Sequence, residues 1–169
     1  MKTEVGSFRL DKEILAKLRK EAESENMSLN SLVNKVLETH SRWLILGKLG
    51  LVPLARSVVI ELFKNMSDED IKKLAKRQVS FVTESLLLLN NEDSVKTFLE
   101  MANAFCKLSG FPVAMHQKNG KVRITVKHTL GKKYSLYVAG VISGKIEQLT
   151  KKKAEVSSTA NTISFSVNV

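Results

Sequence analysis

Cysteine occurs once, proline twice, histidine three times and glycine eight times in 169 residues. A single cysteine excludes an intrachain disulfide framework and a Cys-rich zinc module, and it fits a reducing, intracellular setting. So little Gly and Pro argues against long flexible linkers. No apolar run reaches the roughly 20 residues of a membrane helix. The helical charge-free stretch late in the chain, Tyr134–Gly144, has 11 residues, and the longest of any kind there, Val156–Val169, has 14. Met1-Lys2-Thr3-Glu4 carries no apolar run of the signal-peptide kind. What is left is 43% apolar and 26% charged, a globular composition sized for one ordinary domain or two small ones. These features predict a soluble cytoplasmic protein with no membrane partner.

Acidic residues are also missing, but only from one end. The net charge is +10. Residues 1–48 hold 9 basic and 7 acidic side chains, residues 49–109 hold 8 and 8, and residues 110–169 hold 10 and 2. The excess therefore lies in the last third. Such a surface attracts polyanions by counterion release, nucleic acid being the commonest inside a cell. A lysine-rich solubilising face is the competing reading.

The N-terminal segment alternates over Glu4–Leu10, with Gly6, Phe8 and Leu10 on one face and Val5, Ser7 and Arg9 on the other. Asp11 suits a helix N-cap. Ile14, Leu15, Leu18 and Ala22 then form a stripe at helical spacing. The pattern breaks at Glu25 and Asn26, and asparagine tolerates the left-handed conformation that ends helices. Ser28 caps a second helix faced by Leu29, Leu32, Val33, Val36, Leu37 and His40, with Trp43 and Leu44 extending it. A lone strand leaves its backbone groups unpaired. The economical remedy is pairing with the same strand of a second copy. A two-stranded ribbon of that kind fits the DNA major groove.

Residues 4–44 resemble the ribbon-helix-helix DNA-binding family of the MetJ/Arc/CopG type. The segment FRLDKEILAKLRKEAESENMSLNSLVNKVL has that family's order of strand, polar cap, helix, turn, serine and second helix. The resemblance covers about a quarter of the chain. It implies that Val5, Ser7 and Arg9 read bases. It also implies that Met27, Ser28, Leu29 and Asn30 hold a DNA phosphate at the helix N-terminus. Asn26 stands where the family often has glycine, and Arg9 is the one strong base reader on the outer strand face.

Gly47, Gly50 and Pro53 punctuate a boundary, which divides the chain into a DNA-binding module at 1–46 and an α+β domain at 50–169. Helical pattern runs from about Leu54 to Ser109 in three pieces. The first carries Val58, Val59, Leu62 and Phe63. The second starts at the Ser67/Asp70 cap signal, carries Ile71, Leu74, Val79, Val82 and Leu86, and ends at Asn90-Asn91. The third, about Asp93 to Leu108, carries Val95, Phe98, Leu99, Ala102 and Phe105, with Cys106 a small buried apolar side chain. These stripes read as core or subunit interface.

Residues 110–169 read as a ββαββ unit. Asn119-Gly120 suits a type I′ hairpin turn. Lys118 then opposes Lys121, His116 opposes Arg123 and Met115 opposes Ile124. One face gathers Val113, Met115, Val122, Ile124 and Val126. The other gathers His116, Lys118, Lys121, Arg123, Thr125 and Lys127. This basic strip is a candidate auxiliary anion site. A helix follows Gly131 with Tyr134, Tyr137, Val138, Val141, Ile142, Ile146 and Leu149 apolar. A second hairpin, 155–158 and 162–169, closes the unit. The fold class is α+β with one helix-covered sheet face.

No enzyme, cofactor or metal site is expected. Glu147 and Glu155 are the only acids after residue 109, and no Ser-His-Asp order, Cys-His pair or Gly-rich phosphate loop stands out. His116 and His128 fall on opposite sheet faces about 17 Å apart, too far to share a metal. The leading expectation is a homodimer, or a higher even oligomer, that binds double-stranded DNA as a transcriptional regulator at the nucleoid. The C-terminal domain would oligomerise, sense an unknown effector or add DNA contacts. The alternatives are an antitoxin of a toxin–antitoxin pair and a non-specific architectural nucleic-acid binder.

Overall fold

The computed structural model describes residues 4–168, except the side chains of Arg42, Trp43, Ile45 and Leu46. The expected contribution of Trp43 to the second helix face, and the last strand position at Val169, fall outside these limits. The chain is mixed α+β. Its elements run α1 (Lys12–Ser24), α2 (Leu29–Gly47), α3 (Arg56–Lys64), α4 (Asp68–Asn90), α5 (Val95–Leu108), β1 (Val113–Lys118), β2 (Lys121–Lys127), α6 (Lys132–Thr150), β3 (Glu155–Ser158) and β4 (Thr162–Asn168). Backbone packing separates two units, meeting between Leu44 and Ile45.

In the first unit the expected caps are in place. Asp11 Oδ1 accepts from the N–H groups of Glu13 at 2.8 Å and Ile14 at 3.2 Å. This satisfies two of the donors that a helix start leaves free. Asn26 takes φ 52° and the Met27 N–H returns to Ala22 O at 3.0 Å, which closes α1. Ser28 Oγ accepts from Ser31 N–H at 3.1 Å and starts α2. Lys35 pairs with Glu25 at 2.6 Å across the turn.

The expected strand over Glu4–Leu10 is absent: the segment carries no secondary structure and every residue in it is exposed. The reason is that a strand exists only through its ladder partner. Among the described residues, every strand lies in the other unit's four-stranded sheet. The apolar stripes are likewise only partly covered. Among the described residues of this unit Ala22 and Leu32 are buried and Leu15, Leu18, Leu29 and Val33 half-buried, while Ile14, Val36 and Leu37 are 52%, 43% and 49% exposed.

In the second unit an antiparallel sheet of order β1-β2-β4-β3 carries helices on one face. The β1/β2 register is the expected one, with Lys118 opposite Lys121, His116 opposite Arg123 and Met115 opposite Ile124. Asn119 and Gly120 supply positive φ angles of 50° and 71° at the turn. Val122, Ile124, Val126, Ile163, Phe165 and Val167 alternate into the core. Met115, expected beside them, is 48% exposed at the sheet's edge strand. The expected helix start at Asp93 shifts to Val95. Ser94 is the true cap, in a reciprocal capping box with Thr97.

Helix α6 lies over β3 and β4, α5 lies over β1, and α4 packs along α6. Two glycines one turn apart set the α4–α6 approach. A Cβ at Gly140 would lie 2.9 Å from Ala75 Cβ, and one at Gly144 would lie 2.8 Å from Val79 Cγ2. Gly144→Val is therefore expected to lower stability by about 1–3 kcal/mol, the cost of overpacking. Urea denaturation checks it; an unchanged midpoint would mean the helices do not pack this closely.

Arg56 bonds Ser109 O at 3.1 Å and lies 5.7 Å from the Phe111 ring centre. Lys133 donates to Lys64 O and Met66 O, satisfying carbonyls at the end of α3. Phe63 meets the Tyr134 ring edge-on at 5.2 Å. These contacts anchor α3, which buries no residue fully.

Candidate nucleic-acid interface

Three groups of residues were expected to act, and each has a definite place. Val5, Ser7 and Arg9 lie on the exposed segment before Asp11. Val5 is 99% exposed. Their alternation across a strand has no meaning in the single chain, because no ladder fixes which way they point.

Met27, Ser28, Leu29 and Asn30 lie at the start of α2, as expected. Their roles are not equivalent. The Met27 N–H is already committed to Ala22 O. Leu29 and Asn30 stand in the first helical turn, where backbone N–H groups lack helical acceptors and the helix dipole favours an anion. Ser28 fixes their direction through its bond to Ser31.

His116, Lys118, Lys121, Arg123 and Lys127 share the helix-free face of the sheet and all are exposed. Thr125, Ser164, Ser166, Ser157 and Asn168 continue that face across β4 and β3. The strip is less free than its composition suggested. Glu155, one of the two acids in this third, reaches Lys121 at 2.7 Å. The Lys121 hydrogen bond and charge, with help from Arg123, hold its carboxyl below the ordinary range.

His128 lies in the core, opposite in direction to His116 as side-chain parity required. Its Nδ1 accepts the Leu130 N–H at 3.1 Å, so Nε2 carries the proton and donates to Ser135 Oγ at 2.9 Å. Ser135 donates onward to Ala160 O at 3.2 Å. Burial pushes the His128 pKa down, and every partner suits the neutral ring. This is a structural clasp between β2, α6 and the β3–β4 turn. Among the described residues, no group of three His, Cys, Asp or Glu side chains could hold a metal.

One buried charge escaped the sequence reading. Lys145 is fully buried on α6, with Asp93 at 2.6 Å. Its signal was visible: it continues the stripe of Val138, Val141 and Ile142 at helical spacing, where an apolar residue is expected. A lysine there demands a partner, but nothing local names it. Cys106 is buried as expected, and burial pushes its thiol up to about 11, leaving it protonated and unreactive.

No helix among the described residues is long and apolar enough to cross a membrane. No protein-family model matches the chain, and no curated protein matches it significantly.

Proposed function

We propose that this protein is a homodimeric, sequence-specific DNA-binding regulator of ribbon-helix-helix type. The carrying observation is the incompleteness of the first unit: a capped helical hairpin with partly exposed apolar faces follows an exposed segment, Glu4–Leu10, that has no partner strand among the described residues. A second copy remedies both defects at once. It pairs Glu4–Leu10 into a ribbon and covers Leu10, Ile14, Val36 and Leu37. In that ribbon Val5, Ser7 and Arg9 face outward to base edges, and the start of α2 receives a phosphate.

Selection of bound sequences from a random DNA pool, at stated salt, tests the reading. An enriched inverted or tandem half-site supports it; no enrichment overturns it. Arg9→Ala is expected to cost about 1–3 kcal/mol on the selected site and to relax its base preference. Equal losses on selected and random duplexes would remove Arg9 as a base reader.

The open basic sheet face favours a second contribution, a non-specific electrostatic one. Each phosphate contact adds about 0.9 to the slope of log affinity against log salt. Changing Lys118, Lys121, Arg123 and Lys127 together to Gln is expected to flatten that slope and leave the preferred sequence unchanged. An unaltered slope would restrict DNA contact to the first unit. The antitoxin alternative receives no support from a second unit with its own hydrophobic core.

A further inference from the structure

The core of the second unit is not filled. Between α4, α5, α6 and the sheet lies a cavity of about 180 Å³. Ile124 and Val126 of the sheet, Phe98 and Ala102 of α5, and Val138 and Val141 of α6 line it. Protein interiors ordinarily leave few voids larger than a water molecule, because unfilled volume forfeits dispersion contacts. A cavity of this size and lining therefore stands out from ordinary packing.

Its chemistry is one-sided. No Lys, Arg, Asp or Glu lines it, and the amides of Gln78 and Asn103 stand among otherwise apolar neighbours. The His128 ring, at its wall, has both nitrogens engaged within the chain. Ser85, also at the wall, donates to Phe81 O at 2.7 Å. The phenols of Tyr134 and Tyr137 are pushed up by burial and stay neutral. Water would find too few partners to be held there, since apolar cavities of about 150 Å³ stay dry and accept small apolar solutes. Phe105 and Met115 line the cavity while remaining 41% and 48% exposed, so one side reaches the surface.

We propose that this cavity is a binding site for a compact, uncharged, largely apolar molecule, a single ring or a short alkyl chain. An anion is excluded because entry would strip its hydration and no charged side chain lines the wall to replace it. The site stands apart from the DNA reading and needs no DNA for its test.

The test is thermal melting of the full chain with toluene and octan-1-ol as probes, and benzoate and octanoate as their charged counterparts. A ligand bound only by the folded state raises the melting temperature with its concentration. At a hundred times its dissociation constant the rise is about 5–10 °C for a chain of this size. The neutral probes are expected to give that rise and the carboxylates none. Ala102→Phe, which fills the cavity, is expected to melt higher without probe and to lose the probe's effect. Should that variant not fold, the pair Val113→Leu and Val138→Leu adds two carbons more gently and is expected to weaken the rise severalfold. No rise with either neutral probe, an equal rise with the carboxylates, or a full rise in the filled variants would overturn the proposal. The first of these is also the outcome if a segment of a second copy occupies the cavity.

Discussion

Asp93→Ala is expected to cost about 3–5 kcal/mol of folding stability, the loss typical of stranding a buried charge. Lys145 has no exposed surface, and its ammonium has three directions to satisfy. Asp93 Oδ2 accepts at 2.8 Å, Thr83 Oγ1 at 2.6 Å and Gln148 Oε1 at 3.3 Å. Thr83 also donates, to Val79 O or to Gln148, each at 3.1 Å. Only Asp93 brings a compensating charge. It precedes α5, so the pair also ties α5 to α6 and α4. Removing the carboxylate leaves an ammonium with no exposed surface of its own among neutral dipoles. Replacing both partners, Asp93→Leu with Lys145→Met, is expected to recover most of the loss, since an apolar pair has no desolvation cost. Urea denaturation of the single and double variants measures both. A loss below about 1 kcal/mol for Asp93→Ala, the range of exposed pairs, would show that Lys145 reaches solvent.

Val36→Asp and Leu37→Asp are expected to abolish the dimer and, with it, operator binding. In the single chain these side chains are 43% and 49% exposed. A carboxylate at such positions in a monomer would change stability by no more than about 0.5 kcal/mol. In a dimer whose core they form, it must be buried without a partner, which costs several kcal/mol per site and twice over by symmetry. The two arrangements therefore predict opposite outcomes. Sedimentation with and without the substitutions decides between them. A monomeric wild type, or a dimer indifferent to both changes, would sink the ribbon. Ser80→Asp, exposed on α4 and outside the proposed ribbon and phosphate site, serves as a charge control at a surface position.

The features legible from the chain alone are those whose physics spans a few residues. Asp11 and Ser28 cap helices because a short acceptor needs only the next two or three N–H groups. Asn26 and Asn91 end helices at φ 52° and 51° because asparagine tolerates the left-handed region. Asn119-Gly120 determines a hairpin register, and that register sorts Val122, Ile124 and Val126 from Lys121, Arg123 and Lys127 by alternation. With the two hairpins flanking one helix, the ββαββ unit and its basic face followed from sequence.

Tertiary structure decided the rest, because burial and pairing depend on which distant surface arrives. The stripe containing Lys145 could not name Asp93, 52 positions away, and the basic strip could not foresee Glu155 reaching Lys121 across β4. The cavity is invisible in sequence, since the same apolar residues would serve a filled core equally well. Gly140 and Gly144, four residues apart, mark a face of α6 open to close approach, but nothing local names α4 as the helix that fills it. Even the segment Glu4–Leu10 shows this division. Its alternation was readable, yet a strand is made by its neighbour's hydrogen bonds, and those no single chain's own alternation can supply.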